Sequence, residues 1–108
     1  MQCGQCQLES LELQEGSDGY VGVTHTDEND VPTDCTGWTV SADVTYLGRV
    51  VAAVPIVFTD ITKGQATMDF TRALVASIQP KEGAILSIMW TDATGRRDIV
   101  KVNVEVVC

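Results

Sequence analysis

Residues 38–46 alternate apolar and polar side chains without interruption, and this pattern constrains the fold more than any other stretch. The apolar and aromatic set is Trp38, Val40, Ala42, Val44 and Tyr46, and the polar set is Thr39, Ser41, Asp43 and Thr45. Because successive side chains of a β-strand point to opposite faces, the segment is predicted to be a strand with one buried and one solvated face. Trp38 has the largest apolar surface in the set, so we expect it to lie at the centre of the core.

The same two-residue period recurs along the rest of the chain. Between turn signals it marks the segments 8–13, 20–24, 50–59, 66–70, 86–90 and 100–106. The first of these is weak, and its spacing also fits a short helix. About seven short strands joined by turns indicate an all-β fold, either an antiparallel sandwich or a small barrel.

The segment 71–78 breaks this period. Leu74 and Ile78 lie four residues apart, and Thr71 precedes them. This spacing predicts one or two helical turns with the threonine as N-terminal cap. The positions in phase on the predicted strands give the expected core: Trp38, Val40, Val44, Phe58, Phe70 and Trp90.

Length and charge narrow the possible functions. The 108 residues carry a formal net charge of -8, so we expect one domain and neither nucleic acid nor an anionic membrane as partner. The sandwich is assigned to residues 16–108, and residues 1–15 form either a cysteine-containing extension or a first strand. No window is apolar enough to span a bilayer, and the first residues lack the basic start and apolar run of a secretory signal, so we expect folding in the cytoplasm.

The off-phase side of the 50–59 strand is unusually apolar. A solvated strand should carry polar residues there, and Ile85 and Met89 are off-phase in the same way on another strand. We therefore predict a docking surface, with a second packed layer of the chain itself as the alternative. The predicted interface is Val51, Ala53, Pro55, Val57, Ile85 and Met89.

Two polar features are interpreted as structural. The acidic turn lacks the spaced ligands and the glycine of a calcium-binding EF-hand loop, so we expect a solvated turn. Its acids are Asp27, Glu28, Asp30 and Asp34. His25 is the single histidine of the chain, and no serine or cysteine is placed by sequence to act with it as a nucleophile. Glycine-rich phosphate loops are also absent from the sequence.

Several motifs together resemble a small phage domain. The most specific is the strand entry Asp34-Cys35-Thr36-Gly37-Trp38-Thr39-Val40. The others are Gly48-x-Val50-Val51-Ala52, Thr59-Asp60, Gly64-Gln65, the short helix at 71–78, Trp90-Thr91-Asp92 and the closing valine strand. Over roughly residues 16–107 the chain resembles the immunoglobulin-like β-sandwich found at the N-terminus of upper baseplate proteins and in many tail-fibre or virion proteins.

This resemblance implies an assembly role in the virion, without catalysis or a cofactor. The expected partners are other virion structural proteins, and the expected state is a homo-oligomer or many copies on a symmetric particle. The predicted function is a tail or baseplate adaptor that anchors fibres, and capsid decoration is the alternative. A carbohydrate-binding module is a more distant alternative, because such modules carry exposed aromatic residues, whereas the aromatics here fall mostly in phase with the core.

The cysteines leave several alternatives open. Cys3 and Cys6 have the spacing of a redox pair or of half a zinc site, but no βαβ unit accompanies them, and only Cys35 and Cys108 remain as further ligands. A disulfide involving Cys3, Cys6 or Cys108, a zinc site and free thiols are all possible states. The resembling family has leucine or isoleucine at the position of Cys35, which implies that this thiol is buried and inert.

Overall fold

The computed structural model describes residues 9–14, 16, 18–78 and 83–107. Within these ranges the chain forms mainly β-strands. They are β1 (Glu9–Gln14), β2 (Gly19–Thr24), β3 (Thr39–Tyr46), β4 (Arg49–Val54), β5 (Ile56–Asp60), β6 (Gln65–Phe70), β7 (Ala84–Thr91) and β8 (Arg97–Val107). A 3-10 turn at Ile61–Lys63 and a helix α1 at Arg72–Ser77 complete the described elements.

The strands form two sheets that pack face to face. One sheet has the strand order β1-β8-β7-β3-β4, and the other has the order β2-β6-β5. The predicted all-β sandwich with one short helix is therefore confirmed. All pairings are antiparallel except that of β1 with β8, which is parallel. The purely antiparallel prediction was wrong at this edge, because an alternating pattern identifies a strand without specifying its direction.

The predicted strand 50–59 is divided between the two sheets at Pro55. β4 is an edge of the five-stranded sheet, and β5 is an edge of the three-stranded sheet. Proline has no amide hydrogen to donate to a ladder, so it is suited to a position where the chain leaves one sheet for the other. Its carbonyl still accepts a hydrogen bond from the backbone N–H of Asp69 at 3.0 Å.

A β-bulge at Val51 changes which side chains of β4 face the core. Val44 pairs with Ala52, and the next residue of β3 pairs with Val50, which leaves Val51 as an extra residue. Val50 is consequently 62% exposed, although the unbroken alternation placed it on the core face. Val51 packs against the core instead, because a bulge reverses the phase of the residues before it.

The core lies between the sheets and receives residues from both. Its largest fully buried side chains are Phe70, Met68, Ile78, Leu86, Val44, Val104 and Cys35. Of the predicted core residues, Val44, Phe70 and Trp90 are buried. Trp38, Val40 and Phe58 are partly buried and pack against this core. Trp38 precedes β3 and lies at one end of the core rather than at its centre.

Helix α1 begins as the sequence predicted. The Thr71 hydroxyl oxygen accepts a hydrogen bond from the backbone N–H of Leu74 at 3.2 Å, which caps the first turn. Val75 and Ile78 turn into the core. Among the described residues no helix has the length and apolar character needed to cross a bilayer.

Candidate functional site

The residues of the predicted docking surface lie on different faces of the sandwich. Val51 belongs to the core side of the bulge. Ala53 and Met89 lie on the outer face of the five-stranded sheet, since they pair with the outward residues Asp43 and Ser41 of β3. Val57 lies on the outer face of the three-stranded sheet, on the opposite side of the sandwich. Pro55, between the two strands, is exposed. The six residues therefore do not form one surface, because the strand that carries four of them changes sheets.

An apolar patch remains on the outer face of the five-stranded sheet, and we call it the outer patch: Val50, Ile85, Met89 and Ile99. Ile99 pairs directly with Met89 and is 54% exposed. Val50 and Ile85 each pair with Thr45 and so lie in one row across β4, β3 and β7. Ser87 separates the two halves along β7.

Two members of the outer patch were missed from the sequence. The predicted last strand begins at Val100 and therefore leaves out Ile99. Counting back from the buried Val104 in steps of two residues places Ile99 on the outer side of β8. The alternating pattern could therefore have predicted the position of Ile99. The period of two over 50–59 puts Val50 on the core side, because a bulge cannot be read from an alternating pattern.

The second candidate site is a cleft at the end of the sandwich where β2 ends and β8 begins. Its volume is about 460 Å³, and its lining residues are His25, Trp38, Trp90, Asp92, Arg96, Arg97 and Asp98. The His25 ring makes edge-to-face contacts with Trp38 and Trp90, at centroid distances of 5.0 and 5.2 Å. Such aromatic pairs add stability beyond the area they bury.

Both ring nitrogens of His25 have partners. Nδ1 lies 2.9 Å from the Thr33 hydroxyl, and Nε2 lies 2.8 Å from the Asp98 carboxylate. A neutral imidazole satisfies both, since it can accept from the hydroxyl and donate to the carboxylate. No sequence pattern predicts Asp98 as a partner of His25, because the two residues lie 73 positions apart along the chain.

A hydroxyl, an imidazole and a carboxylate in this order could suggest a catalytic relay. However, Thr33 is not among the residues that line the cleft, and its hydroxyl is already engaged with His25 Nδ1. The hydrogen bonds join the end of β2, the following turn and the start of β8. We therefore interpret His25 as a clamp between the two sheets.

The turn acids hold the backbone and the side chains of their own turns. In three Asp-x-Thr sequences the threonine hydroxyl donates to the carboxylate two residues before it. The pairs are Asp34 with Thr36 (2.6 Å), Asp60 with Thr62 (2.9 Å) and Asp92 with Thr94 (2.6 Å). The threonine hydroxyl bond is the main factor that lowers the pKa of Asp34 and of Asp92. Within the described ranges no three metal-binding side chains come together.

Cys35 lies in the core at 0% exposure. Its backbone N–H donates to the Ile61 carbonyl at 2.8 Å, and its carbonyl accepts from the Trp38 N–H at 2.9 Å. Burial, together with the nearby charge of Asp34, raises the pKa of the thiol, which disfavours the reactive thiolate. The other cysteines named as candidates, Cys3, Cys6 and Cys108, lie outside the described residues.

Comparison with known proteins gives little further information. No protein-family model matches the chain, and no curated protein does. A crystal structure of domains 4 and 5 of the S-layer protein SbsC aligns with 93% of this chain at 21% sequence identity, with a TM-score of 0.45. The chain spans about half of that structure, 48% of its length. At this level of similarity the alignment carries no conclusion about function.

Proposed function

We propose that the chain is a non-enzymatic structural protein of a bacteriophage virion, and that it acts as an adaptor in the tail or baseplate. The resemblance of the strand entry at 34–40 to phage sandwich domains suggests the class. The observation that carries the proposal is the outer patch, which gives the sandwich an apolar surface for a neighbouring subunit.

The outer patch has the composition of a contact surface. Met89 and Ile99 form a cross-strand apolar pair on a face where the neighbouring strand positions are mostly polar, among them Ser41 and Ser87. A folded domain gains nothing from exposing such side chains, whereas burial against a partner removes their apolar area from water. The polar residues around them fit the rim of an interface.

A modest contact of this kind suits a symmetric particle. Burying a few aliphatic side chains supplies on the order of several kcal/mol before the cost of association is subtracted. When the same contact is repeated around a ring or lattice, the copies act together, and the total attachment exceeds that of one site. A single small domain can therefore hold its place without a large individual interface.

The experiment is to localise the protein on particles of the phage that encodes it. Purified virions are examined by mass spectrometry and then by electron microscopy with an antibody to this chain. Label at the tail or baseplate supports the proposal. Label over the head would replace the adaptor function by capsid decoration, and absence of the protein from purified particles would refute a virion role.

A pair of variants tests the surface itself. Ile99→Glu places a charge in the outer patch, and Val57→Glu places the same charge on the outer face of the other sheet, at a side chain that is 64% exposed. We expect Ile99→Glu to reduce incorporation into particles while Val57→Glu leaves it unchanged. Equal incorporation of both variants at the wild-type level would show that the outer patch is not the contact surface.

A further inference from the structure

The four edge strands of the described sheets differ in how they are protected against pairing with another strand. β1 carries the exposed Glu12. β4 begins at Arg49 and contains the bulge, and β5 follows Pro55 and has a register shift before Asp60. Charges, prolines and bulges are the usual means of blocking edge-to-edge pairing. β2 has none of them: its sequence is Gly-Tyr-Val-Gly-Val-Thr.

β2 is also regular along its whole length. All six residues pair with β6 without a register shift, and among the described strands β6 is its one neighbour. The Tyr20 side chain is 77% exposed on this strand. The outward backbone groups of an edge strand form a ready template for a further strand.

Both ends of β2 are fixed to the rest of the domain. Before the strand, the Asp18 carboxylate accepts a hydrogen bond from the backbone N–H of Arg72. After it, the backbone N–H of His25 donates to the Gly64 carbonyl at 2.9 Å, and the His25 ring is held by its two side-chain partners. A strand that is already held extended loses little further freedom when a partner binds.

A cleft adjoins this edge on the inner side. It has a volume of about 290 Å³ and lies between β1 and β2. Val21 of β2 lines it together with the buried side chains of Leu13, Phe70 and Val75. An added strand therefore meets the outward backbone groups of β2 on its edge, and on its inner face it meets a recess with these apolar side chains, which Glu12 and Asp18 also line.

We propose that two copies of the chain pair antiparallel through β2, about a two-fold axis at Gly22. The strand reads nearly symmetrically about this glycine, as Tyr-Val-Gly-Val-Thr. Antiparallel pairing then sets Val21 opposite Val23 of the second copy on the inner side and Tyr20 opposite Thr24 on the outer side. The two three-stranded sheets become one continuous sheet, and the interface is isologous.

This register suits each side chain. The second copy's Val23 lies beside Val21 at the mouth of this cleft, near the apolar side chains that line it. Tyr20 lies diagonally across from Gly22 of the second copy, where an aromatic ring can cover the bare glycine backbone. No charged residue of β2 opposes another, although the chain has a net charge of -8. These features favour a second copy over an unrelated strand, and the inference does not depend on the virion role.

The test is the oligomeric state of the purified protein under reducing conditions, measured by sedimentation and light scattering over a wide concentration range. Gly22→Lys places like charges opposite each other at the axis. A side chain is accommodated there in the single chain, since a Cβ at Gly22 meets nothing within 4 Å. The matched control is Val57→Lys, which lies in the same row of the same sheet, on the far edge beyond Thr67.

We expect wild type and Val57→Lys to dimerise alike. Gly22→Lys should raise the dissociation constant at least about tenfold, because like charges brought together at an interface are strongly unfavourable. Circular dichroism establishes that each variant is folded, and Tyr20→Lys serves as the second edge variant. A monomeric wild type, an unchanged dissociation constant in both edge variants, or equal weakening by Val57→Lys would overturn the proposal.

Discussion

Adding a single methyl group at Gly64 should strongly lower the free energy of unfolding. It follows the 3-10 turn and has a φ of 65°. A Cβ added here would lie 2.7 Å from the Thr33 carbonyl oxygen and 2.8 Å from the His25 carbonyl oxygen. Both are backbone atoms, and the His25 carbonyl also accepts a hydrogen bond from the Thr33 N–H at 3.0 Å, so neither can move aside as a flexible side chain could.

The magnitude follows from two contributions. A left-handed conformation costs a non-glycine residue about 1–2 kcal/mol. Overpacking a close-packed site costs about 1–3 kcal/mol more. We therefore expect Gly64→Ala to lower the free energy of unfolding by about 2–5 kcal/mol, against a total of about 5–15 kcal/mol for a domain. The matched control is Gly48→Ala, which has a φ of 81° but no atom within 4 Å of the added Cβ, so it carries the backbone cost alone.

Urea denaturation followed by tryptophan fluorescence measures both variants. Trp38 and Trp90 flank His25, so their emission reports directly on the end of the sandwich that Gly64 supports. We expect a clearly larger loss of unfolding free energy for Gly64→Ala than for Gly48→Ala. Equal losses would show that the two carbonyl groups do not enclose Gly64 as described.

Three further outcomes are expected. Trp90→Ala should lower the free energy of unfolding by about 3–5 kcal/mol. Trp38→Ala should lower it by about 1–3 kcal/mol, because the Trp38 ring is only partly buried. The reverse order in denaturation experiments would show that Trp38, and not Trp90, is the central residue of the core. In a variant whose other cysteines are serine, Cys35 should react with a thiol reagent only after unfolding, and rapid labelling of the folded protein would contradict its burial and raised pKa. The pKa of Asp92 is lower in the folded protein than in the unfolded chain. Its contribution to stability is therefore complete above the unfolded-state pKa, and it is lost as the pH falls through the folded-state pKa. Thr94→Val should therefore destabilise the protein at neutral pH and progressively less in acid, and a loss that is independent of pH would contradict this.

Elements with local sequence signals could be predicted from the chain alone. Alternation placed β3, β6 and β7 with their buried sides correctly assigned, because a strand with one dry face must repeat every two residues. Thr71 marked the start of α1, since a threonine oxygen is suited to accept from the first free N–H groups of a helix. Pro55 indicates a sheet edge or a bulge, because proline lacks an amide hydrogen to donate to a strand ladder.

Features that depend on pairing between distant segments required the tertiary structure. The bulge at Val51 exists only relative to β3, and the parallel pairing of β1 with β8 has no local signature. The contact of His25 with Asp98 joins residues that are 73 positions apart, so no sequence spacing could predict it. The residues of the predicted docking surface are separated for the same reason: Pro55 carries the chain from one sheet to the other, and a linear pattern cannot show that neighbouring residues of one segment lie on opposite faces of the sandwich.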